Sequence, residues 1–460
     1  MAYATTNPYT NETLATFPGI EDEELDRAVH TAQRTFESWR TKSFDERKEV
    51  VARAASILRE RPDEFARLLT LEMGKLYSES LGEVDLAASI LDYYADNAEE
   101  FLAPERVSTD HSEAGEAIVV SDPIGVLFGV QPWNFPYYQL ARFAGPNLMA
   151  GNVVMVKHAS IVPQSAAAFE RLFREAGAPE GAYTNVYASK DQVSRTIQDS
   201  RIRGVALTGS EGAGSSVASH AGEELKKSTL ELGGSDALIV LADADLDLSV
   251  DRALWGRLNN AGQSCVAAKR IIVVEELAEE FLRRFGEGFA ELKAGDPFDP
   301  DTTLPPLSSQ SAADDLDALV DEAVDHGALM MTPGDPVPEE GAFVQPRILT
   351  GVTRDNPVYD KEFFGPVALF FRAADEDEAV RIANDSSFGL GGSVFTEDTD
   401  HGVEVARRIE TGMVFVNHPT WTRPELPFGG TKRSGYGQEL SEAGIQEFVN
   451  KKLINVMPTG

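Results

Sequence analysis

Cysteine is almost missing from this chain: one, Cys265, in 460 residues. A single thiol excludes an internal disulfide framework and the small secreted scaffolds that such frameworks staple. Long apolar runs are missing too. No stretch approaches the roughly 20 consecutive apolar residues of a bilayer-spanning helix, so no membrane partner is expected. The N-terminus, MAYATTNPYTNETLATF, has neither a basic start nor an apolar run and does not read as a secretory signal. The expected compartment is the cytoplasm. Bases are scarce beside acids, 41 Lys plus Arg against 75 Asp plus Glu, for a formal charge of −34. Such a surface repels phosphates, which excludes nucleic acid and anionic lipid as partners. The acids are spread along the chain rather than gathered in a tail, so they read as a solvated surface suited to high salt, and a halophilic source is the expectation. No His/Cys cluster has metal-ligand spacing, and no metal is expected.

The length suggests two or three domains. Residues 1–102 read as mainly helical after a short extended start. Ser43-Phe-Asp-Glu46 is a capping-box pattern opening a helix that Pro62 ends. From Glu116 the character changes to short β-rich runs. Gly125–Val130, Val153–Val156, Tyr183–Tyr187 and Val205–Leu207 read as strands separated by helices, which is doubly wound α/β organisation. The alternation resumes with Asp236–Leu241 and Ile271–Val274, marking a second α/β domain from about Glu231.

Four stretches carry candidate chemistry. Asn259 to Arg270, NNAGQSCVAAKR, sets Cys265 among small neighbours, with Gly262 free to take a backbone shape most residues resist. Gln131 to Pro136, QPWNFP, holds Asn134 stiffly between prolines, where its amide is able to donate to a developing oxyanion; an ordinary turn asparagine fits the same pattern. Thr208-Gly209-Ser210, followed by Gly212 and Gly214, ends a strand and opens a helix. The spacing departs from GxGxxG, and a tight connection accounts for it as well as a nucleotide site does. Leu230 to Gly234, LELGG, carries Glu231, which is a general base with a raised pKa if buried and a surface charge if not.

Taken in order, PWNFP, the strand-ending Lys157, TGS, ELGG, GQSC, EFFGP (362–366) and PFGG (427–430) resemble the NAD(P)-dependent aldehyde dehydrogenase superfamily. The resemblance implies an α/β fold of two doubly wound parallel-sheet domains with a small β arm for oligomerisation. It implies a cofactor domain at 1–103 and 122–230, a catalytic domain at 231–425, and an arm at 104–121 and 440–460. Cys265 becomes the nucleophile, Glu231 the base, and Asn134 with the Cys265 N–H the oxyanion hole. Pro132, Trp133, Gly209, Ser210, Gly214, Leu232 and Gly233 fall around the cofactor. Glu362 would take the nicotinamide ribose, with Phe364 near the ring and Lys157 at the adenosine ribose. Ser160 stands where many NAD-preferring members have Glu, so NADP is tolerated beside NAD.

Within that superfamily the succinate-semialdehyde members resemble the chain most. Arg142, eleventh counting from Pro132, matches an arginine that holds the far carboxylate there. A second arginine of that pattern, six residues before the cysteine, is Asn259 here, and Arg423 is the candidate substitute, with Phe428 also at the substrate. A glutarate-semialdehyde or a broad aliphatic or hydroxy-aldehyde enzyme is the runner-up, and a catalytically silent relative is the alternative outside enzymes. The implied substrate is a small aldehyde and the implied assembly a homodimer or homotetramer. EMGK at 72–75 receives no chemistry.

Overall fold

Three sheets carry most of the architecture in the computed structural model, which describes residues 3–108 and 115–457. The first has six strands, in the order Gly435–Tyr436, Lys227–Glu231, Ile202–Thr208, Val126–Gln131, Val153–His158 and Tyr183–Asn185. All its pairings are parallel except that of Gly435–Tyr436 with Lys227–Glu231. Its inner strands are continuous apolar runs such as Val126-Leu127-Phe128 and Val153–Val156, as expected of a sheet covered on both faces. The chain builds outward from Val126–Gln131 in one direction, then returns to its other flank with Ile202–Thr208. That reversal leaves a crevice beyond the carboxyl ends of these two strands. Pro132-Trp133-Asn134 follows one strand and Gly209-Ser210 the other.

The second sheet has seven strands: Leu329–Met331, Arg347–Thr350, Val367–Ala373, Ala268–Val274, Asp236–Val240, Gly392–Phe395 and Phe415–Val416. It is parallel apart from the edge strand Leu329–Met331. Every residue of its central strand Ala268–Val274 is buried, Lys269 and Arg270 included. The Cys265 loop enters that strand at its amino end. Glu362 and Gly234 precede neighbouring strands in the same way. The two domains thus meet carboxyl ends of one sheet against amino ends of the other.

The third sheet pairs Val449–Val456 with Glu116–Pro123 and that strand with Glu105–Val107, all antiparallel. Its extent differs from the expected arm. Residues 440–448 belong elsewhere: Leu440, Ile445 and Phe448 are buried in the cofactor-domain core, and Tyr94 Oη donates to the Ser441 carbonyl at 3.0 Å. Likewise Gly435–Tyr436 returns to the first sheet. Positions 109–114 and 458–460 of the arm lie outside the described residues.

Four helices, Asp22–Trp39, Phe44–Glu60, Pro62–Met73 and Tyr77–Phe101, form the N-terminal layer. Ser43 and Glu46 make the reciprocal capping box, at 3.2 and 2.8 Å. Pro62 opens the next helix, where its missing N–H costs nothing. The helix Pro136–Ala150 is buried along all 15 residues, which is why its sequence lacks a polar stripe. Among the described residues no helix is long and apolar enough to cross a membrane.

Candidate active site

The turn Asn259–Gly262 forces three successive residues into left-handed backbone: Asn260 at φ +54°, Ala261 at +52° and Gly262 at +76°. For Ala261 that shape costs about 1–2 kcal/mol, so surrounding contacts must hold it. They do. The Glu79 carboxylate accepts from Asn260 N at 2.9 Å. Arg257 Nη2 donates to the carbonyls of Gly262 and Gly365 at 2.8 and 2.6 Å. A Cβ at Gly262 would lie 2.5 Å from the Gly365 oxygen, so no other residue fits. Asn260 Nδ2 reaches the Asn134 carbonyl at 3.0 Å, and Asn134 Nδ2 donates to the Gln263 carbonyl at 3.1 Å. The PWNFP turn and the cysteine loop are therefore tied directly to each other. That bond uses one of the two amide hydrogens of Asn134, leaving the second for an oxyanion.

Cys265 is half-buried and forms part of two cavities at once. One, of about 200 Å³, is a groove walled by Pro132, Trp133, Asn134, Thr208, Gly209 and Ser210 on the first sheet's side. Leu232, Gly233, Glu362 and Phe364 close it from the other side. The other, of about 260 Å³, lies on the far side of the thiol. Burial pushes the Cys265 thiol up to about 12, while the Lys269 and Arg142 charges pull it down.

The groove fits a nicotinamide dinucleotide. Ser210 caps the helix Glu211–Glu223, whose first N–H groups face the groove as a phosphate site. A Cβ on Gly233 would come within 2.5 Å of the Glu362 carboxylate, so the glycine leaves that acid its place. Trp133 and Phe364 meet edge to face at 5.7 Å and make an apolar wall for a flat ring. Glu362 is held by Gly234 N at 3.1 Å and by Lys269 at 3.0 Å. Ser434, which the motif reading passed over, fixes the Gly pair by donating to the Gly233 carbonyl at 2.7 Å. Lys157 and Ser160 lie beyond this groove, at the end of the strand Val153–His158. Burial, with Lys190 nearby, holds the Lys157 ammonium below its ordinary pKa. Gly214 has a packing task instead of a cofactor contact: a Cβ there would strike Leu232 at 2.6 Å, so it lets the helix close on the strand end.

Glu231 is 2% exposed, and neither carboxylate oxygen has a hydrogen-bond partner among the described residues. Burial raises its pKa well above the ordinary range, Glu439 raises it further, and Arg142 opposes them. The carboxyl therefore holds a proton far more readily than a surface glutamate, as a base poised near neutrality requires. Glu231 is part of neither cavity wall; it stands behind the thiol, paired through its strand with Gly435.

Arg142 departs from expectation. It is 1% exposed and ion-pairs with Glu439. Its other nitrogens donate to Tyr138 Oη at 2.8 Å, Gln139 Oε1 at 2.6 Å and Thr208 Oγ1 at 3.1 Å. The guanidinium sits 4.8 and 4.7 Å from the rings of Tyr138 and Phe428. A group so committed is not free to fork onto a substrate carboxylate; it sets the charge around Glu439, Glu231 and Cys265. Arg423 is corrected too. It is half-exposed, stacks on Trp421 at 4.3 Å, and pairs with Glu425 at 3.5 Å, outside the cavity wall. Phe428 does form part of that wall, with Tyr138, Asn259, Trp255 and Trp421.

EMGK also supplies wall residues. Lys75 forms part of the 260 Å³ cavity with Glu79 and Glu83. It ion-pairs with Glu83 and lies 3.8 Å from the Phe135 ring. Glu83 accepts from Tyr137 N and Tyr138 N at 2.9 and 3.3 Å, capping the helix that follows PWNFP. Positions 75, 79 and 83, at i, i+4 and i+8, were a visible signal: three charges on one face of an otherwise apolar helix. Glu439 had no such signal.

A thiol shared between a dinucleotide groove and a second cavity, with a buried carboxyl behind it, defines an NAD(P)-dependent oxidoreductase that works through a covalent intermediate. The chain belongs to the aldehyde dehydrogenase family, whose model matches residues 1–454. It is 51% identical over 457 residues to the succinate-semialdehyde dehydrogenase [NADP(+)] of Deinococcus radiodurans, covering 99% of this chain and 95% of that one. A solved structure of succinic semialdehyde dehydrogenase from Streptococcus pyogenes in complex with NADP+ is 47% identical and superposes with a TM-score of 0.97, over 99% of this chain and 100% of that one. Betaine aldehyde dehydrogenase from Staphylococcus aureus, in complex with NAD+, is 29% identical at a TM-score of 0.94, over 99% and 91%.

Proposed function

We propose that the protein oxidises succinate semialdehyde to succinate with NADP, and that it also accepts NAD. The observation that carries the reading is Cys265 standing in the common wall of groove and cavity. An aldehyde has no leaving group, so a hydride departs only after a nucleophile has made the carbon tetrahedral. The Cys265 thiolate forms the C–S bond, and the carbonyl electron pair moves to oxygen. Asn134 Nδ2 and the Cys265 N–H receive that oxyanion. The bound nicotinamide cofactor supplies the hydride acceptor, and the product left on Cys265 is a thioester. Water then adds to the thioester carbonyl, Glu231 takes its proton, and the C–S bond breaks to release the acid and the thiolate.

The relatives' names support the four-carbon semialdehyde, and Lys75 is the cation in the cavity wall that a distal carboxylate would meet. A broader aldehyde specificity is the second reading, favoured by the aromatic wall of Phe135, Tyr138, Trp255, Trp421 and Phe428 and by the commitment of Arg142 to Glu439. A panel of succinate semialdehyde, glutarate semialdehyde, hexanal and glycolaldehyde, each with both cofactors, tests the choice. The proposal expects the highest kcat/KM for succinate semialdehyde with NADP; equal values for hexanal select the broad reading. We further infer a cytoplasmic homo-oligomer built through the sheet containing Val449–Val456, whose Leu453 and Val456 are more than 60% exposed in the single chain (63% and 64%). The charge of −34 supports a protein adapted to salt; a melting temperature unchanged between molar and millimolar salt would remove that inference.

A further inference from the structure

Lys269 is fully buried in the middle of the second sheet, a costly place for an ammonium unless every proton is used. Each is. Nζ donates to the Ser264 carbonyl at 2.6 Å and the Cys265 carbonyl at 2.8 Å, and pairs with the Glu362 carboxylate at 3.0 Å. Two of those acceptors flank the nucleophile and the third is the acid of the dinucleotide groove. Gly234 completes the joint: its N–H also holds Glu362, and a Cβ on it would lie 2.4 Å from the Cys265 carbonyl.

The Ser264–Cys265 peptide is planar and trans, so its C=O and N–H point in opposite directions. Anchoring the Ser264 oxygen therefore fixes the direction of the Cys265 N–H. A charge-assisted bond to that oxygen also polarises the peptide and makes its N–H a stronger donor. We propose that Lys269 is a positioning residue: its ammonium sets the Cys265 N–H of the oxyanion hole, favours the Cys265 thiolate, and ties both to Glu362 at the cofactor groove. The proposal rests on the aldehyde-oxidation reading for the word oxyanion, but its first readout needs neither aldehyde nor cofactor.

That readout is the rate of Cys265 alkylation by iodoacetamide across pH. Lys269→Met is expected to move the profile to higher pH and to slow alkylation at neutral pH about tenfold, one pH unit of displacement. Single-turnover acylation by succinate semialdehyde is expected to fall further than alkylation does, because alkylation develops no oxyanion and acylation does. Equal losses in the two reactions would overturn the positioning of the N–H. A folded Lys269→Met protein with an unmoved alkylation profile would overturn the proposal outright. Glu362→Gln keeps the argument testable if the methionine variant does not fold. With its carboxylate partner removed, the ammonium acts on the loop alone, and alkylation at neutral pH should rise about tenfold. A Glu362→Gln profile superimposed on that of the unaltered protein contradicts the proposal. Failure of aldehyde oxidation alongside these alkylation shifts would instead count against the substrate reading.

Discussion

The groove and the cavity on either side of Cys265 are built from different materials. The groove is made largely of backbone and small residues: Gly209, Ser210 and Gly233 leave room, a helix N-terminus faces in, and one carboxylate, Glu362, reaches from the second domain. The cavity is made of side chains: three charges from the N-terminal helices, the tryptophans 255 and 421, and Phe428 from the C-terminal loop. A cofactor presents the same phosphates and ribose to every member of a family, so main-chain donors serve. A substrate differs in size and charge, so bulky and charged groups are needed to sort it. The thiol between them belongs to both, and its environment is controlled by a third set of residues, Glu231, Glu439, Arg142 and Lys269, all buried.

Removing the shared element separates the compartments most sharply. Cys265→Ala is expected to abolish aldehyde oxidation while NADP binding, followed by protein fluorescence quenching, stays within a fewfold. Loss of binding as well would mean that the groove depends on the thiol. Asn134→Ala, which also deletes the brace to Gln263, is expected to lower kcat by about 10²–10³-fold. A kcat within threefold of the parent would remove Asn134 from the oxyanion hole.

Smaller effects probe the buried set. The base must be deprotonated to work, and Glu231 titrates above the ordinary carboxylate range, so turnover should fall as pH drops through that raised value. Glu439 pushes Glu231 up, so Glu439→Gln should displace this acid limb to lower pH, and an upward displacement contradicts the assignment. Arg142→Met removes the opposing charge and should displace the limb upward. It should also slow succinate semialdehyde and hexanal alike, because Arg142 is engaged by Glu439 rather than by substrate. A selective loss with the dicarboxylic semialdehydes would return Arg142 to the cavity wall.

The same contrast explains what was legible in the sequence. Groove residues lie in contiguous motifs at strand ends, where local turn chemistry dictates residue type; TGS, ELGG and PWNFP announce themselves. The cavity is assembled from positions 75, 138, 255, 421 and 428, which are neighbours only after folding. Arg142 sat at the expected position, but its partner is 297 residues later in the chain, and no periodicity links them. Domain limits failed for a related reason. Residues 440–448 follow the Gly-rich loop back into the first core, a return that depends on contacts with Tyr94 rather than on local pattern.

The central claim is that oxidation passes through an acyl group on Cys265, released by water that Glu231 activates. Glu231→Gln isolates it, because general-base loss is expected to slow release by about 10²–10⁴-fold while leaving acylation in place. The variant is mixed with succinate semialdehyde and NADP, quenched within one turnover, and digested for mass spectrometry. The account predicts a stoichiometric burst of NADPH and a succinyl group on the peptide carrying Cys265. A burst with that peptide unmodified, or an undiminished steady-state rate, would contradict it.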